Sequence, residues 1–315
     1  MVKPLEDFHT IGILGCGVIG ASWAAHYLAW GFDVVAVDPA EGAEAQLRKH
    51  IDTFWPALER IGLRAGASPD RLRFDPSPAA FADIDFLQEN GPERVDIKRS
   101  MLAEVTDVVR NDVLIATSSS GILISEIQDA ANHPERILLG HPFNPPHLIP
   151  LVEVVGGKHT STEAIERTLA FYAGIGKKPI RLHREILGHI ANRLQAALWQ
   201  EAFYLVEQGV ASVADIDTAI AHGPGLRWAL LGPFMNLELS GGEGGIGHVI
   251  DHLGPPIESW WHDLGRVSFT PTLKEQSEAG INDELAGDAI GALADARDDV
   301  LLSLLALKAE HGILK

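Results

Sequence analysis

"TIGILGCGVIGASWAAHYLAWGFDVVAVD", residues 10–38, decides the fold. The stretch opens on an apolar run, "TIGILG", that reads as a strand. It then passes through Gly15-x-Gly17-x-x-Gly20 into a helix expected from about Val18 to Trp30. A second strand, "FDVVAVD" (32–38), ends on Asp38. Each glycine has a separate job: Gly15 makes a tight turn, Gly17 lets a pyrophosphate approach the backbone, and Gly20 allows close helix–strand packing. Val18 and Ile19 open the helix, whose N-terminus carries positive potential. A carboxylate at Asp38 accepts hydrogen bonds from an adenosine ribose and repels a 2′-phosphate, which favours NAD over NADP. FAD shares the fingerprint and stays as the lesser alternative. A glycine pattern alone is weak; here strand, turn, helix and acid coincide.

Working outward, residues up to about 185 alternate short apolar runs with amphipathic stretches, the pattern of βαβ units. A long helical stretch runs from about Glu41 to Ile61. "DIDFLQE" (83–89) and "DVLIATS" (112–118) read as strands, with a helix near 94–109 between them. Thr160 and Glu163 form a capping-box pattern before "AIERTLAFYAGIG", and "KKPIRL" (177–182) is the last expected strand. From "GHIANRLQAALWQEAFYLVEQG" (188–209) onward the period is helical, and a second box joins Ser212 to Asp215. The expectation is an α/β protein. A Rossmann-type doubly wound, mostly parallel sheet spans residues 1–185, and a smaller all-α domain spans 186–315.

The 315 residues, 46% hydrophobic, suffice for two domains with a sizeable core. A net charge of −18 argues against nucleic acid, which favours basic faces. No apolar run approaches the ~20 residues a bilayer crossing needs. The charged start "MVKPLEDFHT" reads as no secretory signal, and the one cysteine, Cys16, fits a reducing cytoplasm. Cys16 itself reads as a small residue that fits the turn.

The stretch "LGHPFNPPHLIPLVEVV" (139–155) holds two polar groups in apolar surroundings, His141 and Glu153. Oxidising an alcohol requires a base for the hydroxyl proton, and histidine titrates near neutrality. A carboxylate on its other ring nitrogen would fix the tautomer. A turn through Pro145 and Pro146 would bring the two together. On spacing alone, a loop histidine and a solvent-facing glutamate are the favoured reading.

Taken with the glycine turn, "TSSSG" (117–121), "GHPFNP" (140–145), "LVEVV" (151–155) and "ANRL" (191–194) resemble the 3-hydroxyacyl-CoA dehydrogenase superfamily. The match runs in unbroken order over roughly the first 235 residues. The resemblance implies a His141–Glu153 dyad, with Ser120 and Asn192 hydrogen-bonding the substrate oxygen. It also implies that Glu93 and Lys98 lie near the nicotinamide ribose and Ser118 by the nicotinamide.

Two departures bear on substrate. Thioester-using members carry an aromatic residue where this chain has Pro142, and they finish on a glycine-and-aromatic motif absent here. "HPFNP" and "GLRWALLGPF" (225–234) instead resemble a branch acting on free acids such as carnitine and gulonate. There Arg227 would grip a carboxylate bidentately, in place of a thioester handle; the alternative is an ordinary ion pair. "DPAEGAE" (38–44), "FWPALERIGL" (54–63) and "ELSGGEGG" (238–245) look more like carnitine-oxidising than gulonate-oxidising members. Trp228, Trp260, Trp261 and Phe143 would offer aromatic faces to a trimethylammonium group, or else simply pack. His189 stands where phenylalanine is common and hints at a more hydrophilic substrate. The resemblance implies a homodimer and no metal, so His248, His252 and His262 read as surface residues. A CoA thioester substrate and a non-catalytic, crystallin-like NAD-binding protein are the alternatives.

Overall fold

The computed structural model describes residues 5–287 and 289–312. Among them, eight strands form one sheet in the order β3-β2-β1-β4-β5-β6-β7-β8. The strands are β1 (Thr10–Leu14), β2 (Asp33–Val37), β3 (Leu72–Asp75), β4 (Phe86–Glu89), β5 (Leu114–Thr117), β6 (Ile137–Pro142), β7 (Leu151–Gly156) and β8 (Lys178–Arg181). The helices of this unit are α1 (Val18–Ala29), α2 (Ala43–Ile61), α3 (Val95–Thr106), the one-turn α4 (Ile124–Ile127) and α5 (Thr162–Gly174). Every neighbouring pair is parallel except β6 and β7, which are joined by the turn through Pro145 and Pro146.

Both faces of the sheet are covered, so its central strands run mainly apolar rather than alternating, with polar residues at their C-terminal ends. One core packs Trp23, Tyr27 and Phe171 beneath Ile11, Ile13 and Leu138. The other packs Leu102 and Val105 against Leu87, Leu139 and Val155. Leu138 and Leu139, adjacent in sequence, fall in different cores, as the two-residue period of a strand requires.

One strand escapes the sequence pattern, and one expected cap needs correcting. Residues 72–75 form an edge strand paired with β2, where the sequence shows no alternation. Such a short, partly exposed edge leaves little pattern to read. The cap of α5 is Ser161, whose hydroxyl accepts from Ala164 N. Thr160 instead donates its hydroxyl to the Ile137 carbonyl and accepts from Gly157 N. Adjacent hydroxyl residues shift the cap by one position. The Ser212–Asp215 box caps its helix reciprocally.

The chain divides into two compact units between Arg193 and Leu194. This lies a little beyond residue 185, because the amides of Ile190 and Ala191 are bonded to Glu153 in the sheet. A helix beginning there, α6 (Ala191–Glu207), leads into the second unit. Its described elements are all helical: α7 (Val213–Ala221), α8 (Pro224–Trp228), α9 (Pro233–Ser240), α10 (Gly245–Asp263), α11 (Pro271–Leu285) and α12 (Ile290–His311).

Candidate active site

The antiparallel register places His141 directly across from Glu153. Paired residues project from the same face, and their side chains meet with Nδ1 and Oε2 3.0 Å apart. A carboxylate can only accept, so the imidazole hydrogen sits on Nδ1 and Nε2 is left with a lone pair. Ser120 Oγ lies 3.1 Å from that Nε2 and donates to it. Both members of the pair are buried. The other carboxylate oxygen of Glu153 accepts from Ile190 N at 2.7 Å and Ala191 N at 3.0 Å, at the start of α6. Burial alone would raise the Glu153 pKa. Bonds from His141 and the two amides outweigh it and leave the group below the usual carboxylate range. Asn192 follows in the first turn of α6, half-buried. Phe143 is half-buried two positions past His141, its amide bonded to the Leu151 carbonyl at 3.3 Å.

The glycine turn is built as its spacing demands. Gly15 has φ +89°, open to glycine at little cost. A β-carbon on Gly20 would lie 1.9 Å from the Gly15 carbonyl oxygen, so α1 approaches β1 closely. A β-carbon on Gly17 would meet nothing within 4 Å. That open space lies at the first turn of α1, where amides such as those of Val18 and Ile19 have no helical partner. Asp38 accepts from Cys16 N at 2.8 Å and from Ala40 N at 3.0 Å, and it keeps lone pairs for a ribose. These residues fit a bound NAD. Burial and then the Asp38 charge push the Cys16 thiol up to about 12, so it is inert.

Between the turn and the histidine lies a polar layer at the ends of β4 and β5. Glu93 accepts from Ser119 Oγ at 2.6 Å, Gly121 N at 2.7 Å and Ile122 N at 3.2 Å, fixing the loop that carries Ser120. Burial opposes ionisation of Glu93, but these bonds and Lys98 prevail and lower its pKa. Lys98 is fully buried and gives its ammonium to both oxygens of Glu89 at 2.8 Å and to the Gly91 carbonyl at 3.1 Å. Its distance to Glu93 is 3.9 Å. Ser118 Oγ donates to Asn90 Oδ1 at 2.7 Å and accepts from Gln88 Nε2 at 2.9 Å.

Glu89 was not singled out from the sequence. It accepts also from Thr117 Oγ1 and Gly91 N, each at 2.5 Å, and anchors the layer. The available signal was Gln88-Glu89 closing an otherwise apolar parallel strand, where polar groups need partners.

Arg227 and Trp228 lie in the second unit, on α8, and both are exposed. Trp260 and Trp261 are exposed on α10. The rings of His248 and His252 lie 4.0 Å apart on that helix, tilted by 39°, His252 Nδ1 donating to the His248 carbonyl. Among the described residues, no three histidine, cysteine or acidic side chains converge as metal ligands would.

Residues 10–186 match the NAD binding domain of 3-hydroxyacyl-CoA dehydrogenase, and residues 188–265 match the C-terminal domain of that family. An L-carnitine dehydrogenase of Streptomyces griseus is 46% identical over 95% of this chain and 90% of its own length. One of Pseudomonas putida is 43% identical over 98% of both chains. A solved structure of 5-formyl-3-hydroxy-2-methylpyridine 4-carboxylic acid 5-dehydrogenase, described as an NAD+-dependent dismutase, superposes with a TM-score of 0.82. It is 27% identical, over 95% of this chain and 98% of that one.

Proposed function

The chain belongs to the 3-hydroxyacyl-CoA dehydrogenase family, and from that premise we propose that it oxidises the 3-hydroxyl of L-carnitine to the ketone of 3-dehydrocarnitine. It is an NAD-dependent oxidoreductase acting on a CH–OH group. The observation that carries the substrate is the likeness, at 43% and 46% identity over nearly the whole chain, to L-carnitine dehydrogenases of two bacteria.

In this reading His141 Nε2 takes the hydroxyl proton while hydride leaves the same carbon. Bound NAD supplies the hydride acceptor. Glu153 holds the base in the tautomer with Nε2 free and stabilises the imidazolium that forms. The incoming hydroxyl takes over the bond that Ser120 makes to Nε2, and Ser120 with Asn192 then steadies the oxygen as it becomes a carbonyl. Gly15, Gly17, Val18, Ile19 and Gly20 cradle the pyrophosphate and Asp38 takes the adenosine ribose. Glu93, Lys98 and Ser118 shape the nicotinamide end. By resemblance, Arg227 is the residue for the substrate carboxylate, and Phe143 or Trp228 the aromatic face for its trimethylammonium group. The exposed apolar side chains of the second unit, among them Phe234, Leu239, Ile250 and Leu253, support a homodimer. No described helix is long and apolar enough to cross a membrane, and we place the protein in the cytoplasm, where Cys16 stays a thiol.

A spectrophotometric panel following NADH tests the substrate: NAD with L-carnitine, L-gulonate, L-3-hydroxybutyrate or 3-hydroxybutyryl-CoA. L-Carnitine should give the highest kcat/KM. Turnover of the thioester alone would refute the free-acid assignment. No turnover of any compound would favour an NAD-binding protein without catalysis.

A further inference from the structure

A second imidazole lies beside His141. The ring of His189 is 4.8 Å from that of His141, centroid to centroid, tilted by 50°. Its backbone is held at φ +52°, a left-handed conformation uncommon outside glycine, directly after Gly188 at φ +73°. Strain of this kind persists where the surroundings over-determine it and is a pointer to function.

The side chain is fully committed on one edge and bare on the other. His189 Nε2 lies 3.2 Å from the Ser119 carbonyl, which can only accept, so Nε2 carries the hydrogen. Nδ1 is buried and has no hydrogen-bond partner. Placing a charge on this ring would bury an imidazolium with one nitrogen unpaired. His141 differs, because its Nδ1 faces the Glu153 carboxylate. The acidic groups around His189 are Glu153 on β7, Glu93 before α3 and Glu185, which lines the same small cavity beneath Ile122 and Leu139. None of them is bonded to Nδ1. Burial, and then the neighbouring His141, push the His189 pKa below the ordinary histidine value.

The Ser119 carbonyl belongs to the planar peptide group that carries the Ser120 amide. Ser119 is held from its other side by Glu93, through its hydroxyl. The peptide bearing Ser120 is therefore clamped between an acid and an imidazole.

We propose that His189 is a positioning residue: as an imidazole that stays neutral, it ties down the Ser119 carbonyl, sets Ser120 against His141, and leaves His141 as the one ring that takes the substrate proton. This rests on His141 being the base of the proposed reaction. Turnover with the best acid of the panel is compared for His189→Gln, His189→Phe and His141→Gln. A glutamine keeps an N–H donor without a titrating ring, and a phenylalanine keeps the ring without a donor. His189→Gln should keep kcat within about threefold, with the acid limb of the pH–kcat/KM profile unmoved. His189→Phe should lose more than about tenfold in kcat with KM for NAD unchanged. Equal activity of the phenylalanine variant, or a glutamine variant with a displaced acid limb or a loss above about tenfold, overturns the proposal. An active His141→Gln variant would instead overturn the assignment of the base. Independently of turnover, nitrogen-15 NMR of the wild-type enzyme should show His189 neutral, in the Nε2–H form, throughout the pH range of activity. A protonated His189 in that range would also overturn it.

Discussion

Glu153 faces two ways: one oxygen orients His141 and the other receives the first amides of α6, so a single carboxylate fixes both the imidazole and the helix that carries Asn192. Replacing it by glutamine, which is neutral, should lower kcat by on the order of 10²–10⁴, through loss of the tautomer and of imidazolium stabilisation. The same change should cost about 1–3 kcal/mol of stability, because charge-assisted bonds to buried amides are weakened. The pH dependence has a definite sign. The folded pKa of Glu153 is lowered, so its contribution is present above the unfolded carboxylate value and is lost as pH falls through the folded one. Thermal melts of wild type and Glu153→Gln at neutral and acid pH check both points; the difference in Tm should shrink towards acid.

His141→Gln should reduce kcat by about 10²–10⁴ while leaving NADH affinity unchanged, since the glycine cradle and Asp38 are separate from the base. Fluorescence titration with NADH beside the steady-state assay measures the two effects. Loss of NADH binding would contradict the separation.

Asp38→Asn should raise KM for NAD by about 10- to 100-fold, the loss of charge-assisted bonds to the ribose, with kcat little changed. The preference for NAD over NADP should narrow as the repulsion of a 2′-phosphate disappears. Parallel assays with the two dinucleotides decide it.

Arg227→Ala should raise KM for a free acid by about 10- to 100-fold with kcat nearly preserved, the signature of lost uniform binding. Arg227→Lys should recover only part of this, because an ammonium cannot form the bidentate pair. An unchanged KM would remove the carboxylate anchor.

Lys177 is buried under the Pro145–Pro146 turn, donating to the Pro146 and Ile149 carbonyls, with its Nζ 5.1 Å from the centre of the Trp23 ring. Burial pushes its pKa down to about 7. Between that value and the unfolded value of about 10.4, the unfolded chain binds more protons, so this group destabilises the fold as pH falls and levels off below the lower value. Melting temperature should therefore rise between pH 7 and pH 9.5 more steeply in wild type than in Lys177→Met. Equal slopes would show that the ammonium is retained at no cost.

Much of this was legible in residues 10–38, where the strand, the three glycines, the helix start and the acid all obey short-range rules. His141 and Glu153 were legible as a pair only as far as both interrupt apolar runs; spacing did not say that an antiparallel ladder sets them face to face. The register depends on pairing across a turn, which a local pattern cannot fix. Glu89 was hidden for a related reason: its partners Lys98, Thr117 and Gly91 come from separate segments and converge only in three dimensions. Edge strand β3 has too few residues for any period, and the cap of α5 was misplaced between two neighbouring hydroxyls.

The lone reversal in the sheet carries a lesson for anyone re-engineering this chain. Inserting or deleting residues in the excursion at 143–150 should be poorly tolerated, because His147 is buried there and bonded to Ser22, and Lys177 donates to the Pro146 and Ile149 carbonyls. Sliding either strand by a single position would send imidazole and acid to opposite sides of the sheet. Directed evolution of the pocket is therefore confined to substitutions that keep both the length of the bridge and the register of the ladder.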